Sequence, residues 1–571
     1  MYLLSDESLV IMKSAKIERI LNEFYQTEGM MRMEQFYYNG DIITMENRDD
    51  APEAVLVRNG VIAAVGNLSD VEASAAADCQ RINLHGNTLM PSFLDAHGHL
   101  SMTAQYVVMA DLSSAGSFAD IVQLLKDFRQ KNDLTHGEYI FGYSYDHNFL
   151  KEQTWPTRDV LDQVSTEVPV VIWHTSVHMA VANSKALELM GIDENTPDPE
   201  GGVIFRYEGT NVPNGYLEES ASSPVRTLQA SIPMNYEKQI VEAQMKYIRN
   251  GITTIQDGAA DYATVAMCRQ MAAEGRLLAD VVAYPCYGLG LGIGDSMEKN
   301  KDCIQKYVNR YKIGGYKALL DGSPQGKSAW MTKPYENSGD YCGYPWVTDA
   351  TIEGYIRQAL DENLQILVHC NGDAASDQYL NAYERALEKS DNPNKTNLRP
   401  VMIHCQTVRE DQLDRMQKLN MIPSIFVAHV NYWGDVHLKN FGQERGSRVS
   451  PVKSALDRGL VYNFHTDTPV VAPDMFHSIW AAVNRVTRNG VVSGPEFRID
   501  VYDALKALTI NAAYEYFEED SKGSIRKGKR ADLIIVDQNP LKVDSMELKN
   551  IQVLETIKDG VTIYKKEPHI G

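Results

Sequence analysis

The chain has 571 residues, 44% hydrophobic and 23% charged, close to ordinary globular usage, so a large core is expected and disorder is not. That length exceeds the usual size of one domain and calls for at least two structural units. A formal charge of −21 repels phosphate backbones and anionic lipid, so neither nucleic-acid binding nor a membrane-surface role is expected.

No apolar run is long enough to cross a bilayer, and the opening MYLLSDESLVIMKSAKIERI lacks the pattern of a secretion signal. Residues 1–32 read as an N-terminal extension: a helix, an oligomer contact or an over-extended start. Strand-like patterning begins at Glu34-Gln35-Phe36-Tyr37-Tyr38. Asn-Gly pairs at Asn39-Gly40 and Asn59-Gly60, set between apolar alternations, predict hairpins. The C-terminus reads the same way, with ADLIIVD and a last strand near Val561-Thr562-Ile563-Tyr564. Two β segments at opposite ends suggest one small composite β-sandwich built from residues 33–88 and 516–571.

Between them, β-rich runs alternate with helical patterns, as in a parallel sheet. Eight strands are predicted: NTLMPSFLDAH, GITTIQDG, ADVVAYPCY, GGYKALLDGS, LQILVHC, RPVMIHC, NMIPSIFVAH and LVYNFHTD. Helices are predicted over 237–250, 352–362 and 410–419. The economical reading is an α/β fold, a (β/α)8 barrel over residues 89–515, with an insertion at about 101–234 after the first barrel strand.

Seven scattered cysteines without a CxxC suit reduced thiols in a cytoplasm better than a disulfide framework. The chemistry sits elsewhere, at the ends of the apolar runs. The first ends in Asp95-Ala96-His97-Gly98-His99, the fourth contains Lys317, the fifth ends at His369, the sixth at His404 and the eighth at His465-Thr466-Asp467. In a (β/α)8 barrel the C-terminal strand ends converge on one face, where active sites are built. His97 and His99, two apart at a strand end, would point the same way and could share a cation. Imidazole and carboxylate donors suit zinc and related divalent ions. A lone histidine after a strand is most often an ordinary polar residue; five such positions on separate strands make coincidence improbable.

These stretches resemble the amidohydrolase superfamily, specifically its branch of YtcJ-like and N-substituted formamide deformylase-like enzymes. The resemblance runs from about Met33 to Tyr564 through MPSFLDAHGHL, YKALLDGSPQGKSAWM, VHCNGDAASD, MIHCQ, FHTDTPV and GSIRKGKRADLIIVD. It implies one or two divalent ions, zinc by donor type. His97 and His99 would hold the deeper ion, His369 and His404 the second, and Asp467 would touch the first ion and the attacking water. Lys317 would bridge both as a carbamate; the plain alternative is a surface lysine. The implied reaction is hydrolysis of a non-peptide C–N bond, amide or formamide-like, by a metal-activated hydroxide, with Asp467 as acid and base. His178 in the insertion would contact substrate or stabilise the oxyanion, against a structural histidine.

Weaker candidates are Glu219 and His429 as substrate contacts, Asp321 and Ser323 as residues that order the loop after Lys317, and Asp373 as the partner that orients a metal-bound histidine. Arg485 and Arg488 could take a substrate carboxylate or lie on the surface. Cys370 and Cys405 follow two of the histidines, and alternation turns them away from the ion. Rival functions are deamination of a ring amidine, which Lys317 speaks against, ester or lactone hydrolysis by the same chemistry, and a non-catalytic binding or scaffold role. The expected partner is a small-molecule substrate, and a homodimer is the default assembly.

Overall fold

A computed structural model describes residues 34–132, 139–199, 202–230, 235–287 and 293–567. The expected N-terminal extension lies outside the described residues. The chain divides into two compact units, one comprising Met102–Gln239 with Pro469–Val471, the other the remaining described residues.

The larger unit carries a run of parallel strands that we label in chain order. They are β1 (Phe93–Leu94), β2 (Ile252–Ala260), β3 (Asp280–Pro285), β4 (Tyr311–Ile313 continuing as Gly315–Leu319), β5 (Gln365–Cys370), β6 (Val401–His404), β7 (Ile422–Ile425) and β8 (Asn463–Phe464). β1 to β3 and the first half of β4 form one sheet; the second half of β4 and β5 to β8 form another. The two are linked by a parallel bridge between Cys286 and Lys317. Their residues are almost wholly buried, as expected of parallel strands covered on both faces. Among the described residues these strands form two sheets, not one continuous eight-stranded sheet. Beyond the strands, Asp467 N donates to His97 O and His99 N to Thr468 O, which ties the segment after β8 to the segment after β1. The predicted helices fall at Tyr236–Ile248, Asp349–Asp361 and Glu410–Lys418.

The two chain ends meet in one five-stranded sheet of Asp41–Ile42, Thr88–Pro91, Leu533–Val536, Val553–Lys558 and Val561–Lys565. A four-stranded sheet from residues 35–83 shares an apolar core with it, in which Tyr37, Val55 and Leu84 pack with Leu533, Ile535 and Ile557. The hairpin at Asn59-Gly60 forms, with positive φ at both residues, as its turn requires. The hairpin expected at Asn39-Gly40 does not. Gln35–Tyr38 and Asp41–Ile42 pair into different sheets, so that turn carries the chain from one sheet to the other.

The smaller unit is built on a six-stranded sheet. Successive residues alternate between two cores: Val170 and Ile172 join one, Val171 and Trp173 the other, which is the period of a strand buried on both faces.

Candidate metal centre

The segment after β1 leaves the ladder and folds so that both of its histidines face Asp467. His99 Nε2 lies 3.0 Å and His97 Nε2 3.6 Å from Asp467 Oδ1. The donor atoms of all three fall within 4.8 Å of one another. Strand alternation is not what aligns the pair, because β1 ends at Leu94; cross-chain bonds hold the irregular segment instead. Gly258 N donates to Gly98 O, and a Cβ on Gly258 would collide with the His97 ring, so glycine is needed there. Lys317, fully buried in the second half of β4, places Nζ 3.1 Å from His97 Nε2.

A second pair adjoins the first. His369 Nδ1 and His404 Nε2 stand 3.0 Å apart. Two nitrogens bound to one zinc ion at about 2.0–2.1 Å have a similar separation, so this pair fits a shared ion. The His97 and His404 ring centroids are 5.8 Å apart, which brings the two half-sites together. His404 and Asp467 both have left-handed backbone, φ 76° and 55°, an arrangement that side-chain-bearing residues adopt at a cost and that clusters at functional sites. All six expected residues are therefore brought together, and their nitrogen and oxygen donors suit a zinc-like dication.

Burial keeps the site short of positive charge. It pushes the His97 and His404 imidazoles well below their ordinary range, leaving them neutral with a lone pair to offer. It pushes the Lys317 amine down to about 8. Beneath these side chains lies a polar network that the sequence reading did not pick out. Gln256, buried in β2, accepts from His97 Nδ1 at 2.6 Å and donates to Ala96 O and Glu515. Asn463 of β8 also donates to Glu515, whose carboxyl burial raises to about 8. His465, named at the end of the eighth run but given no role, lies 3.1 Å from His404. The available signal was a glutamine beside an aspartate toward the end of the second predicted run, GITTIQDG.

The weaker candidates divide. His178 and Glu219, both in the smaller unit, meet each other, with Nδ1 3.0 Å from Oε2. Glu219 has φ 51°. Asp321 braces the loop after β5, accepting from Asn371 N, Gly372 N and Trp330 N, and its Oδ1 is 3.6 Å from His369 Nε2. It stands where Asp373 was expected; Asp373 instead accepts from Thr332 and Arg409. Ser323 lies in the same loop, where its N donates to Ser328 Oγ and its carbonyl accepts from Ser328 N and Ala329 N. His429 is a core residue at the start of a short helix, stacked on His437 and packed against Trp433. Arg485 is not a surface residue: its buried guanidinium donates to the carbonyls of Ser447, Val449, Ser450 and Ser493. Cys370 and Cys405 are buried, and burial raises both thiols.

Known proteins resemble the chain over nearly its whole length. The putative amidohydrolase YtcJ of Bacillus subtilis is 25% identical over 544 residues, 94% of this chain and 100% of that protein. The N-substituted formamide deformylase of Arthrobacter pascens is 27% identical over 547 residues, 92% of this chain and 98% of its own. An uncharacterized metal-dependent hydrolase of Pyrococcus horikoshii superposes with a TM-score of 0.71 at 25% identity, covering 90% of this chain and 99% of its own. Residues 80–564 match the amidohydrolase family, and with it a TIM-like barrel is implied. The chain belongs to the amidohydrolase family.

Proposed function

We propose that this hydrolase of non-peptide carbon–nitrogen bonds acts on a small amide or formamide-like substrate and depends on zinc or a similar dication. In this reading His97, His99 and Asp467 would hold one ion and His369 and His404 a second, with Lys317, as a carbamate, a ligand available to both. The observation that carries it is the convergence of six side chains from β4, β5, β6 and the segments after β1 and β8. When bound, such an ion supplies Lewis acidity toward a carbonyl oxygen and lowers the pKa of water.

The chain's own residues supply the proton traffic and the orientation. Asp467 takes a proton at a carboxylate oxygen from the attacking water and returns it to the leaving amine. Glu219 orients the His178 imidazole, which contacts the substrate. The surrounding architecture in this proposal is a closed (β/α)8 barrel over 89–515, joined to a composite β domain from 33–88 and 516–571. The kinship to a formamide deformylase favours formamides within the substrate class.

The test is a screen of N-formyl and N-acyl amines, esters and ring amidines against zinc-loaded protein, with chelator-treated protein as control. Formamide or amide turnover that vanishes with the metal is expected. Asp467→Asn should lower kcat by roughly 10²–10⁴-fold, the usual worth of an acid–base group, while most of the bound metal remains. Substantial turnover by that variant removes Asp467 from the role, and metal-independent turnover removes the site altogether.

A further inference from the structure

A histidine that binds an ion through one nitrogen must carry its proton on the other, and whatever accepts that proton fixes the ring. Two fully buried side chains stand at these second nitrogens. Gln256 Nε2 donates to Ala96 O at 2.5 Å and to Glu515 Oε1 at 3.2 Å, so its amide has one orientation and Oε1 faces His97 Nδ1. Nδ1 of His97 then holds the proton, and the lone pair on Nε2 points toward Asp467 and Lys317. On the other half-site, His465 Nε2 is 3.1 Å from His404 Nδ1, and His465 Nδ1 is 2.9 Å from Ser424 Oγ. With His404 Nε2 turned to His369, where the ion would be held, its Nδ1–H donates to His465 Nε2. His465 in turn donates Nδ1–H to Ser424.

We propose that Gln256 and His465 are positioning residues, each presetting the tautomer of one metal-facing histidine, so that the affinities of the two half-sites are set separately. The inference rests on the ligand assignment above. His465 shares no hydrogen bond with Gln256, and the supports come from different strands: Gln256 from β2, Ser424 from β7 and His465 just past β8.

The test is zinc titration of the metal-depleted full chain against a chromophoric chelator. Loss of such an outer partner typically weakens a metal site about 10–100-fold. His465→Phe should weaken one zinc step by that factor and leave the other; Gln256→Leu should do the reverse. His465→Gln, whose amide oxygen can accept from His404, should restore most of the loss. Folded variants that titrate like the parent, or that both weaken the same step, overturn the proposal. A parent that binds no zinc overturns the ligand assignment itself, which is a separate failure. Neutron diffraction from the zinc-bound parent needs no variant: deuterium on Nδ1 of His97, His404 and His465 is expected, and deuterium on Nε2 of His465 overturns the relay.

Discussion

Lys317 shows how much a single buried side chain can be asked to do. Its Nζ touches His97 Nε2, and burial, the largest influence, draws its amine down to about 8 while Asp467 opposes the fall. Carbamate formation needs the neutral amine, whose fraction rises about tenfold per pH unit below that value and levels off above it. Recovery of activity by metal-depleted enzyme supplied with zinc at a fixed concentration of dissolved CO2 is therefore expected to quicken with pH up to about 8 and then flatten. Lys317→Ala should not recover. A recovery rate indifferent to pH would remove the carbamate from the site. The six proposed donor residues stood out in the sequence because each interrupts or ends an apolar run, and a strand end is where a barrel places its chemistry. Gln256 and His465 did not, because a supporting role depends on which ring nitrogen faces which acceptor, and that is settled only across strands.

At the level of elements, the loops after β4 and β5 are joined by one carboxylate. Asp321 accepts from three backbone donors, Trp330 N at 2.9 Å, Asn371 N at 3.0 Å and Gly372 N at 2.7 Å. Each buried donor left without an acceptor costs about 1–3 kcal/mol, so Asp321→Ala is expected to lose about 3 kcal/mol or more in chemical denaturation. It should also loosen the ion that the proposed site assigns to His369. A loss below about 1 kcal/mol would mean that water or a neighbour replaces the brace. The eight strand runs were legible from composition, yet β1 and β8 are much shorter than their apolar runs. The reason is physical: to aim His97, His99 and Asp467 inward, the chain must abandon the ladder and take irregular backbone held by cross-chain bonds. The Asn39-Gly40 turn misled for a related reason, since an Asn-Gly pair specifies a reversal but not which sheet receives the next strand.

At the level of the larger unit, one buried carboxylate ties the parallel strands to the C-terminal segment. Asp280, at the start of β3 and 1% exposed, sits 2.7 Å from Lys522, 2.8 Å from Lys558 and 3.4 Å from both Arg530 and Arg310. Burial works to raise its pKa, but these four cations together hold it well below the usual carboxylate value. A depressed carboxylate contributes stability above its unfolded pKa of about 4 and loses it as the pH falls through the folded value. Breaking a buried pair by removing one partner typically costs about 3–5 kcal/mol. Asp280→Asn should therefore lower stability by about that amount near neutral pH, with a smaller difference from the parent in acid; calorimetry across pH checks both.

Three of those four cations, Lys522, Arg530 and Lys558, come from the final tenth or so of the chain, while Asp280 is made near its midpoint. In the order of synthesis β3 is made before these three partners, so its buried carboxylate acquires them only after the segments that carry them have been translated. Loss of the segment from Lys522 to Lys558 would therefore strip Asp280 of three of its four cations and destabilise parallel strands far from the change itself.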